Sequence, residues 1–264
     1  MNKDMIKVIQ SELNRMHNAS LVVDGDAGAK TQLALQQVSV LPTNWKTKRK
    51  LIGFIQHAAT LEGIDAGSID GRWGPQTENA YSELTYKLEH GKLPEPWRQE
   101  EFTGESSGQW PLQNEAAMNA FYGKVGTNQG KANSPYPLKF SWKPSKTTMS
   151  FTCHKKVAPA IERVLQRVLG HYGLPEIQRL GLDLWGGALA VRKMRGGTKW
   201  STHAWGTSID WDTARNKLRW GKDRASLARP EYDFWWKCWE DEGAVSLGRE
   251  QDRDWMHVQF ARLK

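Results

Sequence analysis

The sequence predicts an α+β fold: a small all-α repeat domain at the front, followed by an α+β domain with a central antiparallel sheet. Three observations lead to this prediction. A short motif occurs twice near the front, with helical patterning around each copy. From Trp110 onward, helical and strand-like segments are mixed without the regular alternation of a parallel βαβ sheet. The composition, 39% hydrophobic and 25% charged, is that of an ordinary globular protein.

The repeated motif reads D-G-x-x-G-x-x-T and occupies residues 24–31 and 70–77. The two copies begin 46 residues apart. The same distance separates two upstream pairs, Ile9-Gln10 and Ile55-Gln56. Two matches with one spacing indicate an internal duplication. We expect each copy to contain an amphipathic helix, a tight glycine loop and a second helix, over 31–37 in copy one and 77–88 in copy two.

This pattern resembles the peptidoglycan-binding domain found at one end of many cell-wall hydrolases, over about residues 5–88. The resemblance implies that bacterial peptidoglycan is the partner of this region. The loop of copy two contains Arg72 and Trp73, whereas copy one has Ala27 in place of the tryptophan. Arg72 and Trp73 are therefore the candidate glycan-binding residues. The alternative, that Trp73 only packs between the two halves, stays open from sequence.

The boundaries follow from composition. Residues 1–88 form the predicted repeat domain, residues 89–108 a polar linker rich in Pro, Gly and Ser, and residues 109–264 the second domain. In that domain an apolar face over 157–169 predicts a helix that ends at Gly170 or Gly173. A second helix is predicted over 230–242, and alternating patterns predict strands over 187–194, 207–212 and 255–262.

Two motifs in the second domain carry candidate metal ligands. Residues 201–210 read S-T-H-A-W-G-T-S-I-D, which places His203 seven residues before Asp210. Residues 254–257 read D-W-M-H and end at His257. Alternation puts Asp210 on the polar face of one predicted strand and His257 on the polar face of another. Two neutral imidazoles and one carboxylate, with a fourth position left for water, form a known catalytic zinc arrangement.

The paired motifs, S-x-H-x-x-G-x-x-x-D followed by D-x-x-H, resemble the superfamily of zinc D-alanyl-D-alanine carboxypeptidases and L-alanyl-D-glutamate endopeptidases, over about residues 110–264. The phage and prophage endopeptidase branch is the most similar. The resemblance implies one Zn²⁺ per chain, with Asp254 as general base and Arg192 stabilising the substrate oxyanion. The implied zinc ligands are His203, Asp210 and His257. Arg195 is the alternative to Arg192, and Arg195 and Ser201 are further candidates for substrate binding.

Charge and composition limit the other classes of function. The net charge of +8 points to an anionic partner without identifying it, and the 14 tryptophans suit stacking on sugar rings and on bases equally. A nucleic-acid partner is not expected, because no helix-turn-helix, zinc-finger or RRM signature is present. No apolar run approaches the roughly 20 residues of a membrane helix. Cys153 and Cys238 are expected to be two buried thiols rather than a disulfide framework.

These features together predict a monomeric phage-type endolysin. Because residues 1–13 lack the apolar core of a signal peptide, we expect synthesis in the host cytoplasm and action on the cell wall, in the periplasm, after release. The expected reaction is hydrolysis of the L-alanyl-D-glutamate bond of the peptidoglycan stem peptide. The alternatives are a D-alanyl-D-alanine carboxypeptidase and a catalytically inactive wall-binding protein.

Overall fold

The computed structural model describes residues 1–93, 109–195 and 197–263. The chain divides into two compact units, Met1–Glu95 and Pro96–Lys264. The division falls within the predicted linker 89–108, of which residues 94–108 lie outside the described residues. The described residues contain eight α-helices and a six-stranded sheet, which confirms the general α+β class.

The described part of the front unit is built from helices. Its elements are α1 (Lys3–His17), α2 (Ala29–Gln36), α3 (Thr47–Leu61) and α4 (Pro75–His90). Asn2 caps the start of α1 by accepting a hydrogen bond from the Met5 backbone N–H at 2.9 Å. The two helices that follow the repeated loops are present as predicted, although each starts two residues earlier than expected. The apolar faces of the four helices form one buried core around Leu13, Phe54 and Ile55.

The rear unit combines helices with the sheet. In chain order its helices are α5 (Glu115–Tyr122), α6 (Ala158–Leu180), α7 (Asp233–Asp241) and α8 (Leu247–Gln251). Its strands are β1 (Gln129–Phe140), β2 (Lys143–His154), β3 (Leu184–Gly187), β4 (Ser208–Trp211), β5 (Val245–Ser246) and β6 (His257–Gln259). The strands lie in the order β2-β1-β3-β4-β6-β5.

The sheet is mixed, so the prediction of an antiparallel sheet is wrong for one pair of strands. Strands β1 and β3 run parallel, whereas the other four neighbouring pairs are antiparallel. Between β1 and β3 the chain passes through β2 and then the long helix α6. A parallel pair needs such a crossover connection, and α6 provides it. The helix breaks at Gly173, whose φ of 67° is non-helical, at one of the two predicted end points.

Several predicted elements differ in extent. The predicted strand 187–194 is wrong, because β3 ends at Gly187 and the chain then leaves the sheet. The predicted strand 255–262 forms only over His257–Gln259, and the predicted helix 230–242 begins as a 3₁₀ turn before α7. The β1–β2 hairpin was not predicted. Its first strand contains Pro135 and Pro137, residues that normally disfavour strands and that lie where the register shifts.

The tryptophans of the rear unit are largely core residues. Trp211 of β4 contacts Trp235 and Trp239 of α7 with ring centroids 5.1 Å and 6.0 Å apart, and all three are fully buried. This packing fixes the apolar face of β4 against α7, so the opposite face, which carries Asp210, is directed away from the core. The two cysteines are buried free thiols.

Candidate metal centre

Three separate elements bring the candidate ligands together. His203 lies in a 3₁₀ turn over Thr202–Trp205, Asp210 on β4 and His257 on β6. Strands β4 and β6 are antiparallel, and their register places Asp210 directly opposite His257. Directly opposite residues of an antiparallel pair project from the same face of the sheet. The sheet therefore positions two of the three side chains, and the turn adds the third.

The turn that carries His203 is defined by its two ends. At its start the Ser201 hydroxyl accepts a hydrogen bond from the His203 backbone N–H at 3.3 Å. At its end Gly206 adopts a left-handed conformation with φ of 72°. A Cβ atom at Gly206 would lie 2.4 Å from the Gln129 Oε1 atom and 2.9 Å from the His154 backbone nitrogen. Glycine is therefore needed for both its conformation and its lack of a side chain.

The ligand atoms form a small, nearly regular triangle. His203 Nε2 lies 3.2 Å from Asp210 Oδ1 and 3.2 Å from His257 Nδ1, and the third side, His257 Nδ1 to Asp210 Oδ1, is 3.1 Å. All three residues are at most 6% exposed. Ligands held tetrahedrally about 2.0–2.1 Å from a zinc ion are separated by about 3.3 Å. The triangle thus has the size of one face of a tetrahedral site.

Surrounding contacts determine which imidazole nitrogens carry protons. His203 Nδ1 lies 2.6 Å from the Ala188 carbonyl oxygen, which can only accept, so Nδ1 donates and Nε2 keeps its lone pair. His257 Nε2 lies 3.0 Å from Gln259 Oε1. Gln259 is oriented by its Nε2 group, which donates to the Ala261 carbonyl at 2.8 Å. His257 Nε2 is consequently the donor, and its Nδ1 keeps the lone pair.

The triangle therefore contains three acceptor atoms and, with neutral imidazoles, no proton between them. Lone pairs 3.1–3.2 Å apart repel one another unless a cation lies among them. Burial lowers the pKa of His203, and the nearby Asp210 carboxylate only partly opposes that effect. Burial raises the pKa of Asp210, but the contacts with His203 and His257 outweigh it and hold that pKa well below its usual range. His203, Asp210 and His257 could hold a metal ion.

The remaining predicted residues of the rear unit line the same cleft as the triangle. This cleft contains about 370 Å³, counting space that is open to solvent. Four of its lining residues were predicted from sequence as catalytic or substrate-binding: Arg192, Arg195, Ser201 and Asp254. Ser201 also caps the His203 turn, a structural contact that its sequence motif did not reveal.

Asp254 is fixed close to a ligand by the backbone. Its carbonyl accepts a hydrogen bond from the His257 backbone N–H at 2.8 Å, which closes a turn between the two residues. Asp254 is only 2% exposed and adopts a left-handed φ of 55°, a conformation that costs free energy outside glycine. Asp252, two residues earlier, is left-handed as well, with φ of 49°. The buried carboxyl group of Asp254 therefore faces the cleft from a constrained turn.

The two candidate residues of the front unit lie in the second repeated loop. The Arg72 side chain is exposed, and Trp73 is half-buried against Tyr81 with ring centroids 5.9 Å apart. Trp73 thus has a packing role while part of its surface reaches solvent. Both residues belong to the front unit.

The repeated motif itself is held together by a buried glutamine in each copy. Gln56 Nε2 donates to Asp70 Oδ1 at 3.0 Å and to Thr77 Oγ1 at 3.0 Å, while its Oε1 accepts from the Gly71 backbone N–H at 2.9 Å. In copy one Gln10 makes the equivalent contacts with three residues, Asp24, Gly25 and Thr31. The Asp, Gly and Thr positions of the motif are therefore explained by folding.

Sequence reasoning missed Gln259 and Gln113. Gln259 is fully buried, orients His257 and donates to Gln113 Oε1 at 2.8 Å. A signal was present, because Gln259 follows His257 by two residues and so shares its strand face. The contribution of Ala188 had no such signal, since it acts through its backbone carbonyl.

Comparison with protein-family models, with curated proteins and with solved structures finds no match for this chain. In the part of the chain that the structure describes, no helix has both the length and the apolar character needed to cross a membrane.

Proposed function

We propose that this chain is a zinc peptidase that hydrolyses the stem peptide of bacterial peptidoglycan, and that its front unit binds the cell wall. The observation that carries the proposal is the convergence of three buried lone-pair ligands in a cleft that Asp254 and two arginines also line. Buried, perturbed titratable groups that meet in a cleft are typical of active sites. The sequence resemblance to zinc endopeptidases of the cell wall supports the same conclusion.

The donor set favours zinc over the common hard cations. Magnesium and calcium prefer sites made of oxygen ligands, whereas two imidazole nitrogens and one carboxylate oxygen suit zinc. The 3.1–3.2 Å separations are those expected of three ligands around one zinc ion, which would leave a fourth position for water. When bound, zinc would lower the pKa of a coordinated water to about 7 and would polarise the scissile carbonyl.

The residues of this chain perform the remaining steps. Asp254, buried three positions before His257, accepts a proton from the attacking water and delivers it to the leaving amine. Arg192 lines the cleft and stabilises the negative charge that develops on the carbonyl oxygen. Arg195 lines the same cleft and is the second candidate for this role. Ala188 and Gln259 hold the two imidazoles in the orientation and tautomer that ligation requires.

The front unit is proposed to bind glycan through Arg72 and Trp73. An exposed arginine beside a half-buried indole offers hydrogen-bond donors together with a flat apolar surface. The glutamine network involves the Asp, Gly and Thr that both copies share. The loop positions that differ between the copies can therefore carry a separate, glycan-binding function. The whole chain is proposed to act as a monomeric endolysin of phage type, working on the wall after release from the cytoplasm.

The scissile bond proposed is that between L-alanine and D-glutamate. Lysis requires that stems be removed from glycan or that cross-links be cut, and trimming a terminal residue does neither. A D-alanyl-D-alanine carboxypeptidase is the alternative. Mass spectrometry of digested peptidoglycan separates the two: we expect new amino-terminal glutamate and glycan that retains L-alanine. Release of free D-alanine without a new glutamate terminus would instead establish the carboxypeptidase.

The metal assignment is tested by removing zinc and by removing its ligands. Chelation is expected to abolish wall hydrolysis, and added zinc to restore it. His203→Ala, Asp210→Ala and His257→Ala should each lose most bound zinc in metal analysis, while His171→Ala, a histidine stacked on Phe234 away from the triangle, should retain it. Full zinc content and activity in any one of the three ligand variants would refute the assignment. A parent protein that binds zinc fully but does not hydrolyse the wall would favour the inactive wall-binding protein.

A further inference from the structure

We propose that the cleft selects peptides with free carboxylates beside the scissile bond over peptides in which these carboxylates are amidated. The selection is made by two cationic loops, residues 191–200 and 213–224. This inference rests on the proposed peptidase function and adds the charge of the preferred substrate.

The positive charge of the chain is concentrated in one part of the molecule. Residues 1–93 contain 11 Lys and Arg against 10 Asp and Glu, whereas residues 109–264 contain 25 against 15. The two loops together contribute nine of these 25 cations and a single acid, Asp223. The two loops thus carry much of the positive charge of the chain, and each of them contributes lining residues to the cleft.

The first loop borders the cleft directly. Arg192, Met194 and Arg195 are lining residues. The loop turns back on itself, since the Met194 backbone N–H donates to the Lys199 carbonyl at 2.8 Å and Lys193 pairs with Trp200 in an isolated bridge. The Lys193 ammonium lies 3.8 Å from the centre of the Trp200 ring. Two of the four cations of this loop, Arg192 and Arg195, therefore lie at the cleft.

The second loop reaches the cleft through Leu218, which is a lining residue flanked by the exposed Lys217 and Arg219. Its ends are anchored. Arg215 Nε donates to Asp212 Oδ2 at 2.6 Å, and the Lys222 backbone N–H donates to Asp252 Oδ1 at 2.6 Å. Because Asp252 belongs to the constrained turn that leads into Asp254, the loop is held in place beside the candidate base.

These features favour a carboxylate-bearing peptide. Cationic side chains at the border of a cleft raise the local concentration of anions, and arginine can bind a carboxylate through two parallel hydrogen bonds. Asp210 and Asp254 are the acids among the described lining residues of the cleft, and a metal ion held by the triangle would neutralise the charge of Asp210. A substrate whose carboxylates lie next to the scissile bond would contact both loops at the cleft. An anionic polymer elsewhere on the wall would contact only exposed cations outside the cleft.

The test compares two synthetic stem peptides that differ in one group, a free carboxylate or a carboxamide on the glutamate. The free acid is expected to have a kcat/KM about 10-fold higher, and the difference is expected to shrink as salt concentration rises. The double variant Lys217→Gln, Arg219→Gln should lose most of this preference. The matched control is Lys143→Gln, Lys146→Gln, which removes two exposed lysines on β2, two strands away from β4, and should leave the preference unchanged.

Binding supplies a readout that does not depend on turnover. Fluorescence anisotropy of labelled peptides with chelated protein should show the same preference for the free acid and the same loss in the loop variant. Equal binding and cleavage of the two peptides would overturn this inference and leave the proposed function intact. Failure to bind or cut either peptide would count against the proposed function. A loop variant that loses affinity for phosphate-rich wall polymer but keeps its peptide preference would also overturn the inference.

Discussion

At the scale of single residues, the site depends on where protons lie on two imidazoles. A backbone carbonyl at Ala188 and the amide of Gln259 each accept one N–H, and this leaves the opposite nitrogens of His203 and His257 directed at Asp210. Such outer contacts fix the tautomer and raise ligand basicity. Three acceptor atoms that converge in this way could hold a metal ion.

The role of Asp254 is separable from metal binding. Asp254→Asn should retain zinc and fold yet lose about 10²- to 10⁴-fold in rate, because an amide cannot take a proton from water. Metal analysis and wall hydrolysis measured on the same sample check this. Asp252→Asn is the matched control, since it keeps an oxygen to accept from Lys222 and Trp255 and should remain active. Loss of zinc from Asp254→Asn would make this residue a ligand or a structural group instead.

Protonation of His154 is expected to lower the stability of the protein at mildly acidic pH. Its ring is fully buried, with Nε2 donating to the Tyr122 carbonyl at 2.9 Å and Nδ1 accepting from the Lys156 backbone N–H at 3.1 Å. Burial lowers its pKa below the ordinary value near 6.5. The unfolded chain therefore binds the proton more readily, so the free energy of unfolding falls as pH drops below about 6.5 and is constant with respect to this group above it.

Urea unfolding between mildly acidic and neutral pH measures the effect of His154. The variant His154→Gln, whose side chain does not titrate, should show a weaker pH dependence of the free energy of unfolding than the parent protein. The other histidines contribute equally to both proteins. Identical pH dependence in the two proteins would contradict the assignment to His154.

At the scale of elements, each repeated loop is tied to the helix before it by one glutamine. Gln10 and Gln56 are both 2% exposed, and each contacts the Asp, Gly and Thr of its own motif copy. The duplication therefore repeats a hydrogen-bonded unit as well as a pattern of letters. Positions other than the shared Asp, Gly and Thr, such as that of Arg72, can differ between the copies without changing these contacts.

Removing one of these glutamines should destabilise the front unit. Gln56→Leu leaves the Gly71 N–H and the Thr77 hydroxyl without their buried partner, which is expected to cost about 1–3 kcal/mol. Gln10→Leu should cost a similar amount in copy one. The control Gln36→Leu alters an exposed helix position and should change the free energy of unfolding by less than about 0.5 kcal/mol. Urea unfolding compares the three variants, and equal effects in all of them would show that the network contributes little.

At the scale of the whole molecule, the two units have different chemical characters. Among the described residues the front unit is helical and nearly balanced in charge, while the rear unit contains the sheet, the candidate metal site and the positive charge. Each unit has its own hydrophobic core cluster. Separate cores are the condition for separate folding.

Wall affinity and catalysis should therefore be separable by truncation. Residues 1–93 alone should sediment with purified peptidoglycan, and residues 106–264 alone should cut soluble stem peptides. In the front fragment, Arg72→Ala with Trp73→Ala should abolish sedimentation, whereas Asp26→Ala at the equivalent position of copy one should not. A front fragment that stays in the supernatant would show that the repeats have a folding or docking role rather than wall affinity.

The sequence by itself determined the α+β class, the duplication and three of the side chains that meet in the cleft, His203, Asp210 and His257. These follow from local features: period-2 and period-3.6 patterns, glycine loops, and ligand types at short spacing. Asp210 and His257 were each assigned to a polar strand face, and strand alternation is a local property that does not depend on partners.

Tertiary structure alone decided the rest. The parallel pairing of β1 with β3 and the extent of the β1–β2 hairpin depend on long-range pairing, and Pro135 and Pro137 obscured that hairpin locally. Strand β3 ends at Gly187, and the carbonyl of the next residue, Ala188, accepts a hydrogen bond from His203, which lies 15 residues further along the chain. The second cationic loop reaches the cleft through Leu218, a placement that only the folded chain shows. Contacts between residues far apart in sequence leave no periodic trace, so only the folded chain reveals them.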